Sequence, residues 1–147
     1  LREDFGKHLI KSQMKHNDVH AFLYDGYWED IGTIEPYFYA NLALTMQGED
    51  RKKGLMCYDE ECRIISKRYN LPGAKINNCR IDRAILCEGS VINAQEITHS
   101  IVGVRSIIQE GSILRDTIVI GNEYYCRPPI SLSDEEYCPG IGKNCHI

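Results

Sequence analysis

The spacing of apolar and polar positions divides the chain into three stretches. In the first, Leu9, Ile10 and Met14 follow Asp4-Phe5-Gly6 at helix-like spacing. Val19-His20-Ala21-Phe22-Leu23-Tyr24 is a short run rich in β-formers and predicts a strand, closed by the turn signal Asp25-Gly26. Ile34, Phe38 and Leu42 then recur at i, i+4 and i+8, which predicts one helix face running to about Thr45. Thr33 is the expected N-cap; Glu35 suits the positive end of the helix dipole, and Pro36 lies in the first turn, where its missing N–H costs nothing.

The pattern breaks at Gly48-Glu49-Asp50-Arg51-Lys52-Lys53-Gly54, and Asp59-Glu60-Glu61 follows. After a short extended piece at Ile64-Ile65, Leu71-Pro72-Gly73 forms a turn, so residues 49–75 read as a linker.

From residue 76 the apolar period becomes six. One frame runs Cys79, Ile85, Val91, Ile97, and a second runs Ile101, Ile107, Ile113, Val119, with a four-residue step between the frames. Small residues precede many of these aliphatics, at Ala84, Ser90, Ser100, Ser106 and Ser112, and Gly89 and Gly111 lie two positions ahead. A helix returns an apolar residue near every 3.6 positions and an amphipathic strand every 2, so six fits neither. It fits a hexapeptide parallel β-helix, in which three six-residue sides make one triangular coil and the aliphatic residue points inward. An excursion loop is expected between Gly121 and Gly140, with a fresh coil from Ile141. The fold expected is therefore an α/β segment over residues 1–48, a linker over 49–75 and a left-handed parallel β-helix over 76–147. Both ends are expected to lie inside a longer chain.

Composition refines this picture in a few places. Hydrophobic residues make up 43% and charged residues 26% of the 147, a globular balance. A net charge of −4 gives no basic footprint for nucleic acid, and no apolar run reaches the roughly 20 residues that span a bilayer. The seven cysteines form no C-x-x-C pair; their odd number and irregular spacing predict reduced thiols rather than a disulfide framework. His8, His16, His20, His99 and His146 form no cluster.

The phrase Tyr24-Asp25-Gly26-Tyr27-Trp28-Glu29-Asp30-Ile31-Gly32-Thr33, with Ala40-Asn41-Leu42-Ala43-Leu44 after it, resembles the ADP-glucose pyrophosphorylase (glucose-1-phosphate adenylyltransferase) family. His99-Ser100-Ile101-Val102-Gly103-Val104-Arg105-Ser106 and Gly140-Ile141-Gly142-Lys143-Asn144-Cys145-His146-Ile147 resemble the same family's β-helix, closest to its plant-like and cyanobacterial-like branch.

The resemblance implies that residues 1–48 end a Rossmann-like nucleotidyltransferase domain. It implies that Asp30 is catalytic and holds Mg²⁺, and that Asp4, Phe5, Trp28 and Asp30 line a glucose-1-phosphate pocket. Carboxylate oxygens suit both a hard cation and sugar hydroxyls. In the complete enzyme ATP and glucose-1-phosphate are the expected substrates, an anionic metabolite the effector near Lys67 and Arg68, and a homo- or heterotetramer the assembly. Glycogen or starch synthesis is the implied role, in the bacterial cytoplasm or the plastid stroma. The family's glycine-rich nucleotide loop is absent from these residues, so this segment by itself is expected to be inactive. A non-catalytic regulatory subunit and a nucleotidyltransferase for another nucleotide sugar are the alternatives. An acyltransferase built on the hexapeptide repeat is a further one, with His99 its one candidate inside the repeat and no partner for it visible in the sequence.

Overall fold

The computed structural model describes residues 4–16, 19–45, 63, 65–125 and 138–147. The helical run near the N-terminus opens as a π-helix over Phe5–Ile10, passes through a short α-helix (α1, Lys11–Gln13) and closes as a 3-10 turn over Met14–His16. Leu9 and Met14 are exposed, so the spacing that predicted this helix does not build a core face.

The strand expected at residues 19–24 does not form. These residues lie in no ladder, and Phe22 and Leu23 are 88% and 93% exposed. A strand needs a neighbour for its N–H and C=O groups, and among the described residues none pairs with this one. Helix α2 spans Ile34–Leu42 and runs on as a 3-10 turn over Ala43–Thr45, as the i, i+4, i+8 pattern predicted. Thr33 is its N-cap in extended geometry, although its hydroxyl makes no capping bond. Phe38 and Leu42 are buried, whereas Ile34 is exposed.

Residues 75–119 form nine strands of two or three residues each: β1 (Lys75–Ile76), β2 (Arg80–Asp82), β3 (Ile85–Leu86), β4 (Val91–Ile92), β5 (Glu96–Thr98), β6 (Ile101–Val102), β7 (Ile107–Ile108), β8 (Ile113–Arg115) and β9 (Ile118–Val119). They pair in parallel as three sheets, β1-β4-β7, β2-β5-β8 and β3-β6-β9. Every third strand returns to the same sheet, which makes a three-sided parallel coil. Isolated bridges from Ile141 to Ile108 and from His146 to Ile113 begin the next coil, where a fresh one was expected.

The structure corrects the phase of the repeat. Val91 pairs with Ile107, sixteen residues on, and Ile101 with Ile118, seventeen on, so a coil is shorter than three hexapeptides. The inward residues are Leu86, Ile92, Ile97, Val102, Ile108, Leu114 and Val119, joined by Cys79, Ala84, Ala94 and Ile141. Cys79, Ile97 and Val119 were expected there. Ile85, Val91, Ile101, Ile107 and Ile113 were expected inside too, but each lies one position before the true core residue and faces out. Every coil loses one residue at the corner between its second and third sides, and the sixteen-residue coils lose another between the first and second, where Ile92 to Ile97 is also five. The corner between the second and third sides is turned by one residue in the left-handed conformation: Arg83, His99 and Asp116, at φ of 46°, 48° and 49°. From Ile97 to Val102 is then five residues, and the four-residue step from Ile97 to Ile101 reflects that tight corner.

The serines mark the corners from inside. Ser90, Ser100, Ser106 and Ser112 are almost completely buried, each two positions before a core aliphatic. Their hydroxyls are satisfied locally: Ser90 Oγ donates to the carbonyl of Cys87 or Gly103 (2.9 and 3.0 Å), Ser106 Oγ to Gly103 (2.7 Å), and Ser112 Oγ to Gly142 (2.6 Å).

The outward row Ile85, Ile101 and Ile118 on the third sheet has its own use. Phe38 and Leu42 of α2 pack on Ile101 and Ile118 as a second apolar cluster. Burying those two α2 side chains is worth about 1.5–3 kcal/mol each, and it ties the helix to the coil.

Candidate functional site

Asp30 lies on the connection between the exposed segment 19–29 and the N-cap of α2. It is exposed and, among the described residues, makes no hydrogen bond or ion pair. Its Oδ1 stands over Gly32, 3.6 Å from where a Cβ would be. Trp28, two residues earlier, is 75% exposed and, among the described residues, packs in no apolar cluster. Between them Glu29 acts on Tyr27: burial first, then the neighbouring carboxylate, push the Tyr27 phenol above its usual range.

Asp4 has a local partner. Its carboxylate accepts from the Lys7 backbone N–H at 2.6 Å, capping the first helical turn, and stands 3.9 Å from Lys7 Nζ. Phe5 is exposed. Among the described residues no hydrogen bond, ion pair or ring contact joins Asp4 or Phe5 to Trp28 or Asp30. Trp28 and Asp30 are thus neighbours through the chain, with no such contact to Asp4 or Phe5.

The basic pair of the linker separates. Lys67 places Nζ 4.9 Å from the Tyr69 ring centre, and Arg105, in the turn after β6, places Cζ 5.6 Å from the same ring. Both distances are in the cation–π range. The Tyr69 N–H donates to the Glu88 carboxylate at 2.9 Å, holding the linker against the coil, and Arg105 Nη1 reaches the Asn122 carbonyl at 3.4 Å. Lys67, Tyr69, Arg105, Asn122 and Glu123 border a groove of about 450 Å³. Arg68 is exposed and makes no ion pair among the described residues. Arg105 escaped the sequence reading because it is 38 positions from Lys67; only the coil register brings the two together.

His99 does have a partner. Its Nδ1 lies 2.6 Å from Asp116 Oδ1, one coil further along the same corner. The seventeen-residue coil step is the signal that could have found it.

The cysteine reading needs one correction. Cys79, Cys87 and Cys145 are free, but Cys138 is disulfide-bonded. Spacing could not show this, because a disulfide depends on proximity in space. Burial, then nearby Glu96 for Cys79 and Glu88 for Cys87, push both thiols up, so they stay protonated at neutral pH and are weak nucleophiles.

Among the described residues no group of three or more His, Cys, Asp or Glu side chains could by itself hold a metal ion, and no helix is long and apolar enough to cross a membrane.

Residues 68–147 match the model of the GLGC left-handed parallel beta-helix domain. The chain belongs to this family. It is also similar to the glucose-1-phosphate adenylyltransferase small subunit, chloroplastic/amyloplastic, of Triticum aestivum: 40% identical over 151 aligned residues, which take in 98% of this chain. The alignment covers 31% of that relative's length. Together the two matches put the chain in the ADP-glucose pyrophosphorylase family, as the Tyr24–Thr33 phrase and the β-helix motifs implied, and they make the coil left-handed.

Proposed function

We propose that this chain is part of a nucleotidyltransferase that transfers AMP from ATP to glucose-1-phosphate, releasing pyrophosphate and giving ADP-glucose for starch or glycogen synthesis. The observation that carries the reading is the relationship to glucose-1-phosphate adenylyltransferase, which covers the Trp28–Thr33 element as well as the β-helix. Residues 1–48 end the catalytic domain, 49–75 connect, and 76–147 form the β-helix. Asp30 is the chain's own Mg²⁺ ligand and catalytic carboxylate; an exposed carboxylate with no competing partner among the described residues suits that task. Magnesium, when bound, neutralises charge on the phosphate oxygens. Trp28 offers an open aromatic face to the sugar of glucose-1-phosphate, and Asp4 and Phe5 border the same pocket in the complete protein. An anionic effector takes the side of the linker that carries Lys67 and Arg68, where Arg105 adds a further cation. The assembly is a homo- or heterotetramer in the plastid stroma or the bacterial cytoplasm.

The test is pyrophosphate release from ATP and glucose-1-phosphate by the full-length protein. Much faster turnover of another nucleotide and sugar phosphate would defeat the substrate assignment. Replacing the ligand by Asp30→Asn is expected to lower kcat by about a hundredfold or more, with the melting temperature unchanged. Near-normal turnover in that variant would leave Asp30 a mere connector before α2.

A further inference from the structure

The contact between α2 and the coil is not purely apolar. His99 stands at its edge, with its ring centre 5.2 Å from that of Phe38 at an interplanar angle of 89°, and 6.3 Å from that of Tyr39. On its other side Nδ1 lies 2.6 Å from Asp116 Oδ1. An ionised carboxylate only accepts, so in this pair the ring Nδ1 is the donor. Both residues turn the same corner of successive coils in the left-handed conformation, at φ of 48° and 49°, and backbone bonds hold each: the His99 N–H donates to the Asp82 carbonyl at 2.9 Å, and the Asp116 N–H to Thr98 at 3.2 Å. The ring is therefore locked from the coil side and presented edge-to-face to α2. Phe38 lies five residues after Thr33, and Asp30 three before it. Phe38 and the N-cap Thr33 belong to one short helix, so a shift of α2 on the coil moves the point where the connection carrying Asp30 begins.

We propose that His99 and Asp116 form a clamp that fixes the register of α2 on the β-helix and, through α2, the position of Asp30. The second half rests on the functional reading above. His99 is thus a positioning residue that never touches substrate, and its carboxylate partner holds its ring in place. The pair links the coil to the candidate site through α2 and the short connection from Thr33 to Asp30, so the β-helix is more than a scaffold for that site.

Two variants test this in the full-length protein. Asp116→Gly removes the carboxylate at a position that is 75% exposed, and glycine tolerates the left-handed corner. His99→Asn keeps a residue suited to that backbone and removes the ring. Both are expected to raise hydrogen exchange at the α2 amides while the strand amides stay protected. Both should also lower kcat about tenfold with KM for ATP within about twofold, and the double variant should be no worse than either single one. Unchanged exchange in α2 would overturn the clamp. Raised exchange with unchanged kcat would overturn its reach to Asp30. A uniform fall in melting temperature and in every kinetic constant would reduce the pair to ordinary packing. If the unaltered protein makes no ADP-glucose, the functional reading and the reach to Asp30 fall together, and exchange alone decides the clamp.

Discussion

At the scale of single residues, the buried serines explain why the coil turns where it does. A triangular prism brings three backbone corners close to its axis, and each corner carbonyl that leaves the ladders needs a donor. Serine supplies one in a volume that fits beside the core aliphatics. Ser90 reaches two carbonyls, those of Cys87 and Gly103, which lie in successive coils. Ser90→Ala removes the hydroxyl with little change in volume, leaving both oxygens without that donor. It is expected to cost about 1–3 kcal/mol, read as a lower midpoint in denaturant with the slope unchanged. Gly103 is fixed by a related constraint: a Cβ there would run into the Ile120 carbonyl of the coil above.

The same scale shows why the repeat's period was legible and its phase was not. Ile85-Leu86, Val91-Ile92, Ile101-Val102, Ile107-Ile108, Ile113-Leu114 and Ile118-Val119 are all aliphatic doublets. Hydrophobicity cannot say which member faces in, because the outer one is also sheltered. Burial of the serines decides it, two positions before each true core residue in the sides they start.

At the scale of elements, α2 was legible because its face pattern, cap and first-turn proline agree. What the sequence does not reveal is the surface that receives it, since the outer aliphatics Ile101 and Ile118 look like core. Leu42→Ala is expected to cost about 2–5 kcal/mol, and the loss should appear as earlier opening of α2 rather than of the coil, measurable by native-state hydrogen exchange. The strand at 19–24 was misread for the opposite reason. Its composition is right, but pairing partners are absent among the described residues.

The second sheet carries a polar ladder on its outer side. Arg115 Nε donates to Glu96 Oε1 at 2.9 Å, Thr98 Oγ1 donates to the same carboxylate at 3.2 Å, and Arg80 Nη1 stands 4.0 Å away on the first coil. The Arg115 hydrogen bond above all holds the Glu96 carboxyl below the usual carboxylate range, against an opposing push from burial. A folded-state pKa lower than the unfolded one stabilises the coil above the unfolded value, and that contribution fades as pH falls through the folded value. Glu96→Gln is therefore expected to melt earlier than the unaltered protein at pH 7. The gap should close on acidification below the ordinary carboxylate range. A gap that persists unchanged in acid would mean that the ladder's charge adds nothing.

For the molecule as a whole, the division of labour follows the geometry. The β-helix buries an apolar core along its axis, whereas the segment from 19 to 33 presents Phe22, Leu23, Trp28 and Ile31 to the outside. The reaction proposed for that segment rests on family kinship rather than spacing, and Asp30 would pass for a turn residue without it. The groove beside Tyr69 was half visible: Lys67 was singled out in the chain, but Arg105 arrives only through the winding of the coil.

The corners of the column are unequal in one more respect. The corner of Arg83, His99 and Asp116 meets α2 at His99, and it takes the same five residues in each coil, from Ile81 to Leu86, Ile97 to Val102 and Leu114 to Val119. The next corner along the chain, after the third side, is where β9 ends at Val119 and the path runs on to Ile141 before pairing with β7 resumes. Length variation has an address, then. A graft, tag or evolutionary insertion at the third corner extends the surface and leaves the winding intact, while a single added residue at the α2 corner would rotate every later side chain out of register.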